Sequence, residues 1–324
     1  MNFSSRDCLR PSSLLKENEP SFFIGSVVSK SQGSRTAQSM AMFRALESAR
    51  PEKDRRFADP FAALFLNRSM RLAVRAAETS ATAHSALITF IDMRWPGARR
   101  SGVARTAYID QLLREALRSG AEQVVILGAG YDSRAYRIEE MKLVRVFEVD
   151  RADTQRLKRE RLVRIPGLPS QHVIFVEMDF LRQTVQEALA SFGFQSQRRT
   201  FFIWEGVTHY LDSDAVDATM RFVASSSESS EIVFTYIHRG LLDGSGAMSV
   251  DPNVVHLLQE AGEPWKFGFY PAELPQYLRT RGLRLIEDLS AIEYGERFLG
   301  ATEEQMKGYE FYHVALAGVN RREV

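Results

Sequence analysis

Two glycines and a later carboxylate form the part of the sequence with the clearest chemistry. Gly128 and Gly130 directly follow the apolar run at 123–127, and Asp150 ends the next apolar run. Glycines let the backbone approach a ligand closely, and the N-terminus of a following helix favours negative charge. Asp150 lies about 22 residues after Gly128, near the ~20 expected of a carboxylate that accepts both hydroxyls of a ribose. The spacing predicts a nucleoside-binding turn.

Two classes of cofactor share this geometry. A dinucleotide needs a small residue at position 133, which Ser133 supplies, but Asp132 would place a negative charge close to the pyrophosphate. S-adenosylmethionine has no phosphate and carries a cationic sulfonium, so it tolerates Asp132. The residues of the turn favour S-adenosylmethionine but leave open a dinucleotide, or a turn that holds no ligand.

The elements around this turn alternate as in a doubly wound α/β sheet. Apolar runs bounded by turn residues predict five strands, with helical segments between them, and a continuous apolar run is typical of a strand buried on both faces. Two further strands near the C-terminus can pair antiparallel, with residues 295–308 between them. The predicted strands are 123–127, 143–149, 173–176, 200–204, 231–237, 283–289 and 311–319.

The region before the sheet is predicted to be helical. Residues 1–33 lack the apolar segment of a secretory signal and are expected to form a flexible tail, with an organellar transit peptide as the less favoured alternative. Residues 34–100 are expected to form a helical lobe over the active site, and 101–324 the cofactor-binding domain, with 240–270 covering the substrate. The predicted helices include 34–50, 59–67, 70–83, 86–93, 106–118, 130–141 and 271–281, and one near 251–252.

Composition excludes several other classes of protein. The chain has 324 residues, a net charge of +1 and one cysteine, Cys8, so it cannot hold an internal disulfide framework or a zinc site of several thiolates. Near-neutral charge gives no reason to expect nucleic acid or an anionic membrane as partner. No run reaches the roughly 18 apolar residues of a membrane span. We expect a cytoplasmic protein, and no metal, because no cluster has metal-ligand spacing.

Several motifs, in order and at compatible spacing over residues 34–319, resemble the leucine carboxyl methyltransferase family. The similarity is strongest to its bacterial and fungal branch of S-adenosylmethionine-dependent methyltransferases with small-molecule substrates. The motifs are Thr36-Ala37 to Glu47, Asp59-Pro60-Phe61-Ala62, Ala104-Arg105-Thr106 to Asp110, Gln123 to Arg134, Phe147 to Asp150, Asp179-Phe180, Trp204 to Val207, Tyr210-Leu211 and Glu263 to Gly268.

The resemblance implies a class I methyltransferase-like sheet of seven strands. Its antiparallel last strand, 311–319, would be inserted beside 231–237. Family members that methylate a protein phosphatase have a further upstream lysine on the cofactor carboxylate. The nearest candidates here are Lys30 and Arg35, and neither aligns with that lysine, which argues against a phosphatase substrate.

The resemblance also implies roles for residues at matching positions. Arg105 would pair with the methionine carboxylate, and Asp150 would hold the ribose hydroxyls. The two glycines would pass close to the methionyl and ribose parts. Asp179 and Phe180 would border the adenine, with Asp179 accepting from its amino group, and Glu205 would lie near the sulfonium and the amino group.

Three side chains are candidates for handling the methyl acceptor. His209 and Tyr210 follow the strand at 200–204, and His238 follows the strand at 231–237, where ligands of α/β proteins bind. Each could position the acceptor or take its proton. The alternatives are a packed ring for Tyr210 and solvated loop residues for the two histidines. A carboxylate acceptor needs no base, whereas a hydroxyl benefits from one.

Together these features predict an S-adenosylmethionine-dependent O-methyltransferase. Its acceptor would be a carboxylate or hydroxyl of a small molecule, which could belong to secondary metabolism. Aromatic residues such as Trp265 would suit an apolar acceptor. The alternative is a protein C-terminal carboxyl methyltransferase, and a minor alternative is a non-catalytic cofactor-binding protein with the same fold.

Overall fold

A seven-stranded sheet organises the chain, which a computed structural model describes over residues 35–245 and 265–320. The strand order is β3-β2-β1-β4-β5-β7-β6. Strands β1 to β5 are parallel, and β7 lies antiparallel between β5 and β6. The strands are β1 (Gln123–Leu127), β2 (Arg145–Asp150), β3 (Val173–Glu177), β4 (Thr200–Trp204), β5 (Glu231–Ile237), β6 (Leu283–Ser290) and β7 (Tyr312–Val319). This is the class I methyltransferase-like sheet, and the predicted position of the last strand is confirmed.

Helices cover the sheet and account for most of the remaining described residues. The α-helices are α1 (Arg35–Ser48), α2 (Arg68–Thr79), α3 (Ala81–Arg94), α4 (Ala98–Arg118), α5 (Arg134–Arg137), α6 (Ala152–Leu162), α7 (Val185–Ala190), α8 (Ser213–Ala224), α9 (Gly240–Asp243), α10 (Leu274–Arg279), α11 (Ala291–Leu299) and α12 (Glu303–Met306). Short 3₁₀ helices occupy Ala62–Phe65, Glu139–Leu143, Thr208–Tyr210 and Pro271–Glu273. No helix in the described ranges is long and apolar enough to cross a membrane.

Strand β1 shows why the sheet has a core on each side. Every residue of β1 is buried, and side chains alternate between the two faces. Val124 and Ile126 join a hydrophobic cluster with α1, α2 and α4, whereas Val125 and Leu127 join a second cluster with α7 and α8. The N-terminal helices therefore share a core with one face of the sheet.

Four helix predictions were wrong in detail. The helix expected at 70–83 ends at Thr79, because Ser80 adopts an extended backbone and caps α3. The helix expected at 59–67 is only the 3₁₀ turn Ala62–Phe65, because Asn67 adopts an extended backbone to cap α2. The helix expected at 106–118 begins at Ala98 and takes in the basic stretch; Arg99 within it is buried and pairs with Asp92 at 2.8 Å. The helix expected at 130–141 is divided by the extended backbone of Ile138.

Other expectations fall partly or wholly outside the described structure. The helix predicted near 251–252, Cys8, Lys30 and the Glu263-Pro264 part of one motif lie outside the described residues. The predicted domain limits stay a prediction, as does the covering role of 240–270. Between β6 and β7 the predicted antiparallel pairing is present, with α11 and α12 in the connection.

Candidate active site

The turn after β1 is held against the end of β2 by main-chain hydrogen bonds. The amides of Gly128 and Ala129 donate to the carbonyl of Val149 at 2.8 and 3.0 Å. The amide of Gly130 donates to one carboxylate oxygen of Asp150, and the amide of Arg151 donates to the other. Burial raises the pKa of Asp150, and these two amides partly oppose the rise. Each oxygen keeps a lone pair, so Asp150 can accept from two neighbouring hydroxyls.

Position 128 requires a glycine for two reasons: its backbone conformation and the lack of room for a side chain. Its φ is +68°, in the left-handed region, and a Cβ there would lie 2.3 Å from Cγ2 of Val207. Val207 follows Glu205 in the loop after β4, so this contact brings the two loops together. A side chain at position 128 would therefore force these two loops apart.

Arg105 and Glu205 form a buried ion pair at the C-terminal edge of β4. Nε of Arg105 donates to Oε1 of Glu205 at 2.8 Å, and its guanidinium lies 4.7 Å from the ring centroid of Tyr312. Burial would lower the pKa of Arg105, but Tyr312 and Glu205 raise it well above its usual value. Burial would likewise raise the pKa of Glu205, but Arg134 and Arg105 lower it. Both groups are therefore charged at neutral pH.

Further buried charges continue from this pair towards α1. Arg134 donates to Glu205, Asp110 and Asp132, and Arg137 makes a bidentate pair with Asp110 at 2.6 and 2.7 Å. Asp59 lies 3.9 Å from Arg137 and accepts from Arg44 and Ser133. We call these four arginines and four acids the charge network: Arg44, Asp59, Arg105, Asp110, Asp132, Arg134, Arg137 and Glu205.

Sequence reasoning missed most of the charge network. Asp110 and Arg134 lie in the motifs that carried the resemblance, yet no role was assigned to them, and Asp59 was expected only as a helix cap, which its bonds from the amides of Phe61 and Ala62 show it to be. Asp132 was considered only as a charge that would repel a pyrophosphate. Burial would raise its pKa, but Arg134 and Lys158 lower it to about 2. The available signal was the number of charged residues within otherwise apolar motifs.

His209 lies buried beside Arg105. Burial and the positive charge of Arg105 lower the pKa of its imidazole to about 3, and Nδ1 has no hydrogen-bond partner. The expectation that His209 is a solvated loop residue was wrong, because the 3₁₀ turn Thr208–Tyr210 directs the residue into the core. The backbone carbonyl of His209 accepts from the amide of Lys266 at 2.7 Å.

Aromatic rings surround His209 and extend away from Arg105. The His209 ring centroid lies 4.2 Å from that of Tyr210, 5.4 Å from Trp265 and 5.8 Å from Tyr312. Phe311 contacts Trp265 at 5.4 Å and Tyr309 at 5.2 Å. We call these six rings the aromatic cluster: His209, Tyr210, Trp265, Tyr309, Phe311 and Tyr312.

The other predicted residues lie around this centre. Phe180 stacks on Trp204, the last residue of β4, with ring centroids 6.3 Å apart. Asp179 is half-exposed after β3 and accepts from the amide of Leu181 at 3.0 Å. His238 follows β5, and its Nδ1 accepts from the amide of Gly240 at 3.1 Å. Burial and the nearby His313 lower the pKa of His238.

Three pairs of predicted site residues are in direct contact in the structure. Arg105 bonds to Glu205, Gly130 bonds to Asp150, and His209 packs on Tyr210. No direct contact joins His238 to the other predicted site residues in the described part of the chain. Within residues 35–245 and 265–320, no group of three or more His, Cys, Asp or Glu side chains could hold a metal ion.

The side chains match the parts of an adenosyl amino acid. A guanidinium beside a carboxylate can bind the carboxylate and the ammonium of an α-amino acid. Asp150 can accept from a ribose, and the glycine turn lies directly beside it. This donor set fits S-adenosyl-L-methionine. The carboxylate of Asp132 is paired with Arg134 at 2.5 Å, so its charge does not by itself exclude a pyrophosphate.

Solved structures share the architecture of this chain. A methyltransferase from Thermobifida fusca matches 85% of this chain and 97% of its own, with a TM-score of 0.56 and 15% identity. A duf574 family protein from Streptomyces avermitilis matches 90% and 99%, with a TM-score of 0.57 and 14% identity. At such low identity the likeness shows the class I methyltransferase-like fold alone.

Sequence relationships identify the family. The model of the leucine carboxyl methyltransferase family matches residues 37–224, so the chain belongs to that family. A relative from Bacillus subtilis is 32% identical over 65% of this chain and 70% of its own, and one from Frankia alni is 35% identical over 64% and 70%. Both are named as S-adenosyl-L-methionine-dependent methyltransferases. The chain is an S-adenosyl-L-methionine-dependent methyltransferase of this family.

The substitution Gly128→Ala should destabilise the fold more than Gly167→Ala. Both glycines have positive φ, but a Cβ at Gly167 meets nothing within 4 Å. We expect a loss of about 1–2 kcal/mol at Gly167 from conformation alone, and about 1–3 kcal/mol more at Gly128 from the contact with Val207. Urea unfolding measures both, and equal losses would contradict the close approach.

The stability contributed by a neutral His209 should decline in acid. Its folded-state pKa of about 3 lies below the ordinary 6.5, so this contribution is complete above pH 6.5 and is lost as pH falls towards 3. The free energy of unfolding of wild type relative to His209→Phe should fall by up to about 1.4 kcal/mol per pH unit in that window.

A matched control for this titration is Phe311→Leu, which alters the aromatic cluster without removing a titrating group. Its free energy of unfolding should run parallel to that of the wild type between pH 7 and pH 4. Parallel curves for His209→Phe as well would show that His209 is not held neutral by the fold.

Proposed function

We propose that the chain transfers a methyl group from S-adenosyl-L-methionine to an oxygen of a small apolar molecule, with a carboxylate favoured over a hydroxyl. The observation that carries the proposal is the aromatic cluster, which adjoins the Arg105–Glu205 pair through Tyr312 and His209. An apolar acid of secondary metabolism has the chemistry that such a site accommodates.

In this proposal the cofactor is held by the residues at the C-terminal edge of the parallel strands. Arg105 binds its carboxylate and Glu205 its ammonium, while Asp150 accepts from the ribose hydroxyls. Asp179 and Phe180 border the adenine, where Phe180 already stacks on Trp204. Gly128 and Gly130 give the ligand access to the backbone of the turn.

When bound, S-adenosyl-L-methionine supplies an activated methyl group, so the protein mainly has to orient the acceptor and exclude water. The aromatic cluster serves both purposes, since apolar rings desolvate the acceptor oxygen and restrict its position. His209, Tyr210 and His238 remain the candidates for positioning the acceptor. Among them, His209 lies nearest to the Arg105–Glu205 pair, through its contact with Tyr312.

The basicity of His209 favours a carboxylate acceptor. An imidazole with a pKa of about 3 takes up a proton poorly at neutral pH, whereas general bases work best when their pKa lies near the operating pH. A carboxylate is ionised at neutral pH and requires no base. A hydroxyl acceptor would instead depend on His238, whose pKa is also lowered.

The second candidate is methylation of a protein C-terminus, which the name of the family favours. Its acceptor is also a carboxylate, so the chemistry at the oxygen is the same. The two functions differ in the body of the substrate: a peptide is polar along its backbone, whereas the aromatic cluster offers mostly apolar contacts.

Two variants should distinguish binding of the amino acid end of the cofactor from binding of its ribose. Arg105→Gln should weaken binding of S-adenosylhomocysteine about ten-fold or more, because bonds to charged groups contribute about 1.5–3 kcal/mol. It should scarcely affect 5′-methylthioadenosine, which lacks the amino acid. Asp150→Asn should weaken both ligands, since both contain the ribose. Isothermal titration calorimetry measures these affinities.

The control for these titrations is Arg114→Gln, on the same helix as Arg105. Arg114 lies at the surface, where it forms a 3.9 Å ion pair with Glu140, so both affinities should stay at wild-type values. Unchanged binding of S-adenosylhomocysteine by both Arg105→Gln and Asp150→Asn would overturn the proposed cofactor site.

The acceptor is best sought with methyl-labelled cofactor and fractionated metabolite extract. We expect label in an organic-soluble product that mild base hydrolyses, as for a methyl ester. Label in base-labile protein esters would instead support C-terminal methylation. A base-stable product would indicate a hydroxyl acceptor, and cofactor binding without any transfer would support a non-catalytic protein.

A further inference from the structure

Glu205 is held from two sides by arginines of different elements. Arg105, from α4, bonds to Oε1 at 2.8 Å, and Arg134, from the first turn of α5, bonds to Oε2 at 2.8 Å. Arg134 is 3% exposed, so its charge is almost fully removed from solvent. The proposed function uses Arg105 and Glu205 but assigns nothing to Arg134.

Arg134 is itself fixed by two acids. Its Nε donates to Asp110 at 2.8 Å, and its Nη1 is shared between Asp132 and Glu205. Asp110 in turn is fixed by the bidentate bond from Arg137. A guanidinium bound through a planar fork at several positions has little freedom to turn. Arg134 is therefore a fixed partner for one oxygen of Glu205, while Arg105 holds the other.

We propose that Arg134 is a positioning residue that acts through Glu205 on the amino acid end of S-adenosyl-L-methionine. In the proposed function, on which this inference rests, Arg105 binds the cofactor carboxylate and Glu205 binds the ammonium. Sharing Arg105 with that carboxylate weakens its hold on Glu205. Arg134 does not contact the cofactor in this arrangement, so its bond to Glu205 is not shared. It therefore keeps the Glu205 carboxylate in position and compensates its negative charge.

The test compares two ligands that differ in the amino acid end. Arg134→Lys keeps the charge but loses the fork, so it should weaken S-adenosylhomocysteine roughly ten-fold and change 5′-methylthioadenosine less than about two-fold. A role of Arg134 in merely shaping the glycine turn would weaken both ligands equally, because both contact Gly130 and Asp150. Equal weakening, or no weakening, would overturn the proposal.

A double-mutant cycle with Glu205→Gln tests whether the effect passes through Glu205. If it does, Arg134→Lys should cause little further loss in S-adenosylhomocysteine affinity in the Glu205→Gln background. Additive losses would show that Arg134 acts by another route. The matched control is Arg99→Lys, which alters a buried arginine of α4 that pairs with Asp92 outside the charge network, so the ratio of the two affinities should stay at the wild-type value.

The wild-type protein separates a failure of this inference from a failure of the proposed function. Wild type should bind S-adenosylhomocysteine more tightly than 5′-methylthioadenosine; equal affinities would overturn the proposed roles of Arg105 and Glu205 together with this inference. If Arg134→Lys does not fold, Arg134→Gln combined with Asp132→Asn removes one charge of each sign. That variant should show the same selective loss, and an unchanged ratio would overturn the inference alone.

Discussion

Mutual compensation of buried charges is the constraint on which the site depends. Three guanidinium groups and three carboxylates alternate from Arg44 on α1 to Glu205 after β4, Arg105 pairs with Glu205 at the end of this path, and Asp132 pairs with Arg134 within it. Removing one partner of a buried pair costs about 3–5 kcal/mol, because the other charge is left without compensation. Helix α1, helix α4, the glycine turn and the loop after β4 are therefore fixed relative to one another by the same set of contacts.

This arrangement explains why the site residues have their particular charge states. Each acid of the charge network lies beside at least one guanidinium, which offsets the effect of burial and keeps it ionised. Asp150 lies outside the network and accepts only from two amides, so burial raises its pKa. No acid among the described residues offsets burial at His209, so burial and Arg105 keep it neutral. The proposed acceptor chemistry follows from this difference.

The elements that form the sheet could be predicted because their signals are local. Apolar runs and the glycines at 128 and 130 predicted the strands and the turn, and the family resemblance predicted the place of β7. Helix limits were less predictable, since the ends depend on caps such as Asn67 and on the burial of Ile138 by distant residues. Arg105 and Glu205 could be selected from motifs, and their contact is present, while their binding roles stay predictions.

The number of charged residues in the motifs could indicate buried charges, but their pairing could not be predicted, because most of the pairs are distant along the chain. Arg134 and Glu205 are 71 residues apart, and Arg105 and Glu205 are 100 apart. Nothing in the local pattern distinguishes a solvated arginine from one paired in the core. The same limitation applies to Arg99, which the sequence places beside Arg100 and Arg94 but which is buried against Asp92.

A crystal structure with S-adenosylhomocysteine would test the central claim most directly. The account predicts that Glu205 still bonds to Arg134 and accepts from the ligand ammonium, that Arg105 binds the ligand carboxylate, and that Asp150 accepts from the ribose. A ligand whose amino acid end lies away from Arg105 and Glu205, with the charge network unengaged, would contradict it.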